Sequence, residues 1–289
     1  MKESHPMCFH ATGLLIAGIF MTSSLLAQEP GTVVAADKRV QGRTYTFRET
    51  GKQIPYALFV PSTYDASKKW PLIVGLHGLG RPYDWLMGYE GIIDFAERDG
   101  YVMVTPLGYD ARAWYGSRGV TLPPQGQAQE GRGAEPLRAN VGELSEKDVM
   151  NVLEIARRDF TIDPDRIYLW GHSMGGAGTY HVAAKYPGIW AGLAVAAPAP
   201  APSGGVQPDA LEEFKHLPIL VLQGDADQAV PVARTREWVA VMKQLGMAHL
   251  YVEVQGGDHT NFIAKDREML SKVFSFFNIA RRNERPAVK

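Results

Sequence analysis

Cysteine is almost absent: Cys8 is the single one in 289 residues. That excludes a disulfide framework and any zinc site built on paired cysteines. Charge of one sign is lacking too, with 30 Lys and Arg against 31 Asp and Glu and a net charge of −1. No long run of like charge occurs, so neither nucleic acid nor an anionic membrane surface is an expected partner. No P-loop, no G-x-G-x-x-G fingerprint and no zinc-ligand spacing is present, so the chemistry calls for no metal and no cofactor. An uninterrupted apolar run long enough to span a bilayer is missing as well.

What the chain does have at its start is a leader-like segment. Lys2 precedes the apolar run Ala11 to Phe20, and Thr22, Ser23 and Ser24 lead to Ala27 and the polar Gln28 and Glu29. This pattern predicts a signal peptide over 1–27, cleaved after Ala27, with Cys8 lost alongside it. An uncleaved anchor is the alternative, weakened by the shortness of the run. The expectation is a secreted or periplasmic protein without stable membrane insertion once the leader is gone. Residues 28–289 then form one catalytic domain, since hydrophobic residues make up 45% of the chain and suffice for one sizeable core.

Strands and helices alternate along that domain. Thr44 to Phe47 and Ile54 to Val60 read as an antiparallel hairpin at a sheet edge. The runs Trp70 to Leu76, Tyr101 to Thr105, Ile167 to Trp170, Ala191 to Ala197 and Pro218 to Gln223 are almost wholly apolar, as strands covered on both faces are. Leu250, Val252 and Val254 alternate as in a half-exposed edge strand. Between these lie helical spacings: Tyr89, Ile92, Ile93 and Ala96 ended by Gly100; Val149, Val152, Leu153 and Ala156 after a capping-box-like Ser145 to Asp148; Trp238, Val241, Met242 and Leu245; and Leu270, Val273, Phe274 and Phe277. Asp163 to Arg166 reads as a turn. The predicted class is α/β, with a mostly parallel central sheet and helices on both faces. Residues 108–143 break the rhythm and read as one long functional loop, with Trp114 and Tyr115 near its start.

The chemistry is concentrated in Gly171-His172-Ser173-Met174-Gly175, a G-x-S-x-G between an apolar strand and a helix-competent run. A glycine-rich helix start with a capping Ser is the plainer reading of five such residues. Other parts, in the right order, decide against it. A serine hydroxyl needs a base to take its proton, and the base needs an acid to hold its tautomer. Downstream of Ser173, Asp227 follows one buried strand and His259 follows the last strand. Both fall at strand C-terminal ends, the edge where open α/β sheets place their sites. Asp225 is the competing acid, read as a turn former. Asp258 is a third, too close to His259 to reach its ring. His77 is expected to brace its loop, His172 to fill a variable position, and His181 to be an ordinary helix residue. The N–H groups of Met174 and Leu79 are the candidate oxyanion donors, Leu79 lying between Gly78 and Gly80. Trp114 and Tyr115 are candidates for substrate binding, or equally for anchoring their loop.

With these motifs the chain resembles the α/β-hydrolase superfamily over roughly residues 40–280. Within it, the chain is similar to secreted esterases of the feruloyl esterase and polyhydroxybutyrate-depolymerase-like group, with features shared by prolyl oligopeptidases and dienelactone hydrolases. One departure stands out: Gln223 occupies the position where many such enzymes carry a His before the glycine. The resemblance implies the α/β-hydrolase fold and a serine esterase acting through an acyl-enzyme on Ser173. Its partner would be an ester, free or linked to a polysaccharide or polymer. A prolyl-oligopeptidase-type peptidase and a non-catalytic binding protein on the same fold are the alternatives.

Overall fold

The computed structural model describes residue 1 and residues 37–119, 137–199 and 205–282. The leader expected over 1–27 therefore lies outside the described residues, residue 1 aside. The chain divides into the units Met1–Thr32 and Val33–Lys289, and every element below belongs to the second.

Its centre is an eight-stranded sheet in the order β1-β2-β4-β3-β5-β6-β7-β8. β1 (Gln41–Thr46) and β2 (Gln53–Phe59) form the antiparallel hairpin, and β2 also runs antiparallel to β4 (Val102–Pro106). From β4 onward all pairings are parallel, through β3 (Trp70–Leu76), β5 (Ile162–His172), β6 (Gly192–Ala196), β7 (Ile219–Gly224) and β8 (His249–Val254). The strand interiors are apolar on both faces because both faces are covered. Along β5, Ile167 and Leu169 enter one core layer, while Tyr168 and Trp170 enter the other, the two-residue period of a pleated strand. The first layer packs under α2 (Val141–Asp159), α3 (Met174–Lys185) and α4 (Val232–Gln244). The second packs under α1 (Ile92–Asp99), α5 (Asn261–Ala264) and α6 (Arg267–Ile279).

Several local expectations shift. Tyr89 stands outside α1, which begins only after Gly91 in a left-handed conformation and ends at a left-handed Gly100. α2 starts at Val141, a turn before the capping-box-like sequence. Ser145 is fully buried inside it, and its hydroxyl accepts from the Tyr115 N–H at 3.0 Å. Asp163 to Arg166 is no separate turn but an irregularity within β5, where the register against β3 slips between Trp70 and Leu72. On the edge strand β8, Leu250 is 53% exposed, so the alternation there does not face it inward. Of the long loop, 120–136 lies outside the described residues, whereas 108–119 packs tightly onto the domain.

Candidate active site

Ser173 joins β5 to α3 in a backbone conformation of φ 57° and ψ −118°. A non-glycine residue pays of order 1–3 kcal/mol for such a region and keeps it only where the surroundings enforce it. Here they do. A Cβ on Gly171 would stand 1.9 Å from the carbonyl oxygen of Gly175, and one on Gly175 would stand 2.0 Å from that of Leu76. Neither glycine has positive φ. The two are needed for space, so that helix and strand backbones can close on each other, and the strain itself is concentrated at the serine.

The edge at the C-terminal ends of the strands gathers three side chains. His259 Nε2 lies 2.9 Å from Ser173 Oγ, and His259 Nδ1 lies 2.7 Å from Asp227 Oδ2. A carboxylate only accepts, so Nδ1 carries the proton and Nε2 is free to accept from the serine hydroxyl. Asp227 is held by more than the imidazole: its Oδ1 accepts from the N–H groups of Ala229 and Val230, both at 2.8 Å. Burial by itself would raise the Asp227 carboxyl. The hydrogen bond and charge of His259, with the two backbone donors, outweigh it and leave the carboxyl below its ordinary range. Asp227 thus stays ionised at neutral pH.

The competing acids have other duties. Asp225 does not act within its own turn but reaches across, its Oδ1 accepting from Gly256 N–H at 2.6 Å, which ties the acid loop to the base loop. Asp258 accepts from Thr260 N–H and Phe262 N–H, both at 3.1 Å, at the start of α5.

Gly78 brings its loop against the serine. A Cβ there would sit 3.7 Å from Ser173 Cβ, 3.6 Å from the Trp85 ring and 3.7 Å from Arg81 Cγ. The N–H groups of Leu79 and Met174 make no hydrogen bond to any acceptor among the described residues. His77 is fully buried and its ring spans the carbonyls of Gly78 at 2.7 Å and Leu107 at 2.9 Å, bracing the loop. Tyr115 completes the brace, its hydroxyl accepting from His77 N–H at 3.1 Å. With 0% exposure, Tyr115 is an anchor and not a pocket wall, which corrects its candidacy for substrate binding. Trp114 is 7% exposed and lies under the Arg118 guanidinium at 4.1 Å, the signature of a second anchor.

Arg81 and Trp85 escaped the sequence reading. They fall just past the glycine loop, in a stretch without helical or strand periodicity, and only the closeness of Gly78 to the serine reveals them. Gln223 gains a duty as well: its amide donates to Asp227 Oδ2 at 3.0 Å, and its oxygen accepts from Thr235 at 2.7 Å. His181, expected to be an ordinary helix residue, instead joins Lys185 and Tyr186 around the buried Glu146. Burial pushes the Glu146 carboxyl up, but those three hydrogen bonds together outweigh it and hold it at about 2.

Known proteins resemble the chain in sequence and in fold. Residues 125–216 match the family model described as serine aminopeptidase, S33. "Putative esterase NocK" of Nocardia uniformis subsp. tsuyamanensis is 30% identical over 202 residues, 69% of this chain and 50% of that protein. The chain thus spans about half the length of that curated relative. Among solved structures, a thermostable esterase superposes with a TM-score of 0.60 at 24% identity, over 86% of this chain and 64% of that one. A ferulic acid esterase from Anaeromyces mucronatus does so with a TM-score of 0.59 at 18% identity, over 87% of this chain and 94% of its own.

The chain has the α/β-hydrolase fold. The order of the three residues along the chain is Ser, Asp, His, each just beyond the C-terminal end of a parallel strand. The sharp bend at Ser173, between a strand and a helix, has the geometry of a nucleophile elbow.

Proposed function

We propose that the protein is a serine hydrolase of carboxylic esters and that Ser173, His259 and Asp227 carry out the reaction. His259 Nε2 takes the proton as Ser173 Oγ attacks the ester carbonyl carbon. The negative oxygen that results is met by the N–H groups of Met174 and Leu79. His259 returns its proton to the departing alcohol, leaving an acyl group on Ser173. Water enters, gives a proton to His259 and attacks the acyl carbon. The carboxylic acid leaves and Ser173 recovers its proton. Asp227 accepts from Nδ1 throughout, which stabilises the imidazolium of each step.

The observation that carries this reading is the unbroken hydrogen-bonded chain from Asp227 through His259 to Ser173, with the serine on the strained bend. A p-nitrophenyl ester and a fluorophosphonate probe test it. The expected result is turnover and labelling by the wild type, and neither by Ser173→Ala. Turnover at the wild-type rate in folded Ser173→Ala would refute the reading. Trp85, half-buried beside Gly78, offers the substrate an aromatic wall. Feruloylated or acetylated polysaccharide, polyester and small lipid esters are the natural candidates for comparison.

A serine peptidase is the second reading, favoured by the family description matched over residues 125–216. Prolyl and aminopeptidase p-nitroanilides, run beside the aryl esters, separate the two. We also propose export, on the leader pattern of 1–27. Sequencing of the exported protein is expected to begin at Gln28.

A further inference from the structure

His172, next to the serine, is fully buried, and both its ring nitrogens are engaged. Nε2 lies 2.8 Å from the main-chain carbonyl oxygen of His259, and Nδ1 meets the Tyr89 hydroxyl. A carbonyl oxygen only accepts, so Nε2 carries the ring proton. The Tyr89 hydroxyl therefore donates to Nδ1, and the direction of the chain Tyr89 → His172 → His259 is settled. The ring is also walled in, with Trp85 at 5.2 Å, Tyr89 at 5.9 Å, His259 at 5.2 Å and Phe262 at 6.2 Å between centroids. No other acceptor competes for the Nε2 proton among the described residues.

These contacts close a ring. Ser173 is bonded to His172, His172 holds the backbone of His259, and His259 Nε2 faces Ser173 Oγ. We propose that His172 is a positioning residue, which acts through the main chain of His259 to set the imidazole against the serine, with Tyr89 selecting the tautomer that can do so. The proposal rests on the ester-hydrolase reading for its kinetic consequences, though not for its geometry. A loop 86 residues away in sequence is thereby referenced to the nucleophile's own neighbour instead of to distant scaffold. The groups facing the ring are compatible with a permanently neutral imidazole. Burial, then the adjoining charge of His259 and that of Arg81, push His172 down to about 3, against the hydrogen bond to His259 and the charge of Asp227. The link does not titrate over the working range of an esterase.

Two variants test it. His172→Leu removes the N–H donor at similar bulk, whereas His172→Gln keeps an amide N–H near the place of Nε2. Misplacement by about 1 Å costs on the order of 100-fold in rate. His172→Leu is thus expected to lower kcat on a p-nitrophenyl ester by about 10- to 100-fold with KM within about twofold, and His172→Gln to recover most of the loss. Thermal unfolding of each variant confirms that the protein compared is folded. A second readout needs no substrate: the low-field proton NMR signal of the His259 Nδ1–H is expected in wild type and His172→Gln, and broadened away in His172→Leu. A folded His172→Leu that keeps the wild-type kcat and the wild-type low-field signal overturns the proposal. So does a His172→Gln as slow as His172→Leu. If the wild type turns over no ester, the ester reading fails by itself, and the NMR comparison still decides the role of His172.

Discussion

Gln223 Nε2 donates to the same oxygen of Asp227, at 3.0 Å, that receives the His259 N–H at 2.7 Å. Gln223, which stands where the resemblance implies a histidine, thus helps to hold the Asp227 carboxylate. Its amide is oriented from behind by Thr235, which donates to Gln223 Oε1 at 2.7 Å. A hydrogen bond to a charged group contributes about 1.5–3 kcal/mol. Gln223→Leu is expected to lower kcat by about 10-fold and raise the Asp227 carboxyl, because one donor to the ionised form is gone. Steady-state kinetics on an aryl ester, with Thr235→Val as the milder counterpart, check this.

Asp227→Asn keeps the shape of the acid but not its charge. The neutral amide no longer stabilises the imidazolium and favours the wrong tautomer of His259. A fall in kcat of about 10,000-fold is expected, by analogy with the serine protease case. Labelling of Ser173 by a fluorophosphonate should slow in parallel, and circular dichroism should show the fold retained.

The elbow glycines fail for another reason. Gly175→Ala puts a methyl group 2.0 Å from the Leu76 carbonyl oxygen, and that neighbour is backbone in a central strand. The sheet and α3 cannot both keep their places. The expected outcome is loss of soluble folded protein, measured by expression yield and unfolding, and not a folded enzyme of altered specificity.

Asp148 makes stability depend on pH in an unusual direction. It is fully buried in α2, and burial pushes its carboxyl up to about 6 despite hydrogen bonds from Tyr45 and the N–H groups of Tyr109 and Gly108. An unfolded Asp titrates near about 3.9. Between these values the folded protein binds the proton that the unfolded chain releases, so this group's contribution declines as pH rises from about 4 to about 6 and is level above. Two pKa units correspond to about 3 kcal/mol. In denaturant titrations at pH 4 and pH 7, Asp148→Asn should gain on the wild type by up to that amount at the higher pH.

Trp85→Ala should act on binding. With the aromatic wall beside Gly78 removed, KM for an aryl ester should rise several-fold while kcat for a small acetate ester stays within about twofold. An equal loss on both substrates would assign Trp85 to the scaffold instead, through its contact with the His172 ring at 5.2 Å.

By itself the sequence determined the fold class and singled out the candidate side chains. Continuous apolar runs such as Leu72 to Leu76 announce strands covered on both sides, and the G-x-S-x-G names its own serine, because these signals are local. The order of Ser173, Asp227 and His259 at strand ends needed no coordinates either. Only the tertiary structure decided what holds those groups in place. That Gln223 supports Asp227, that Asp225 reaches to Gly256, that Tyr115 braces His77 and that His172 grips the His259 backbone are contacts between distant segments or, for Gln223 and Asp227, across a turn. Periodicity reports which face of an element is buried. It carries no record of what a buried polar atom will find when the elements close on one another, and the supporting contacts are all of that second kind.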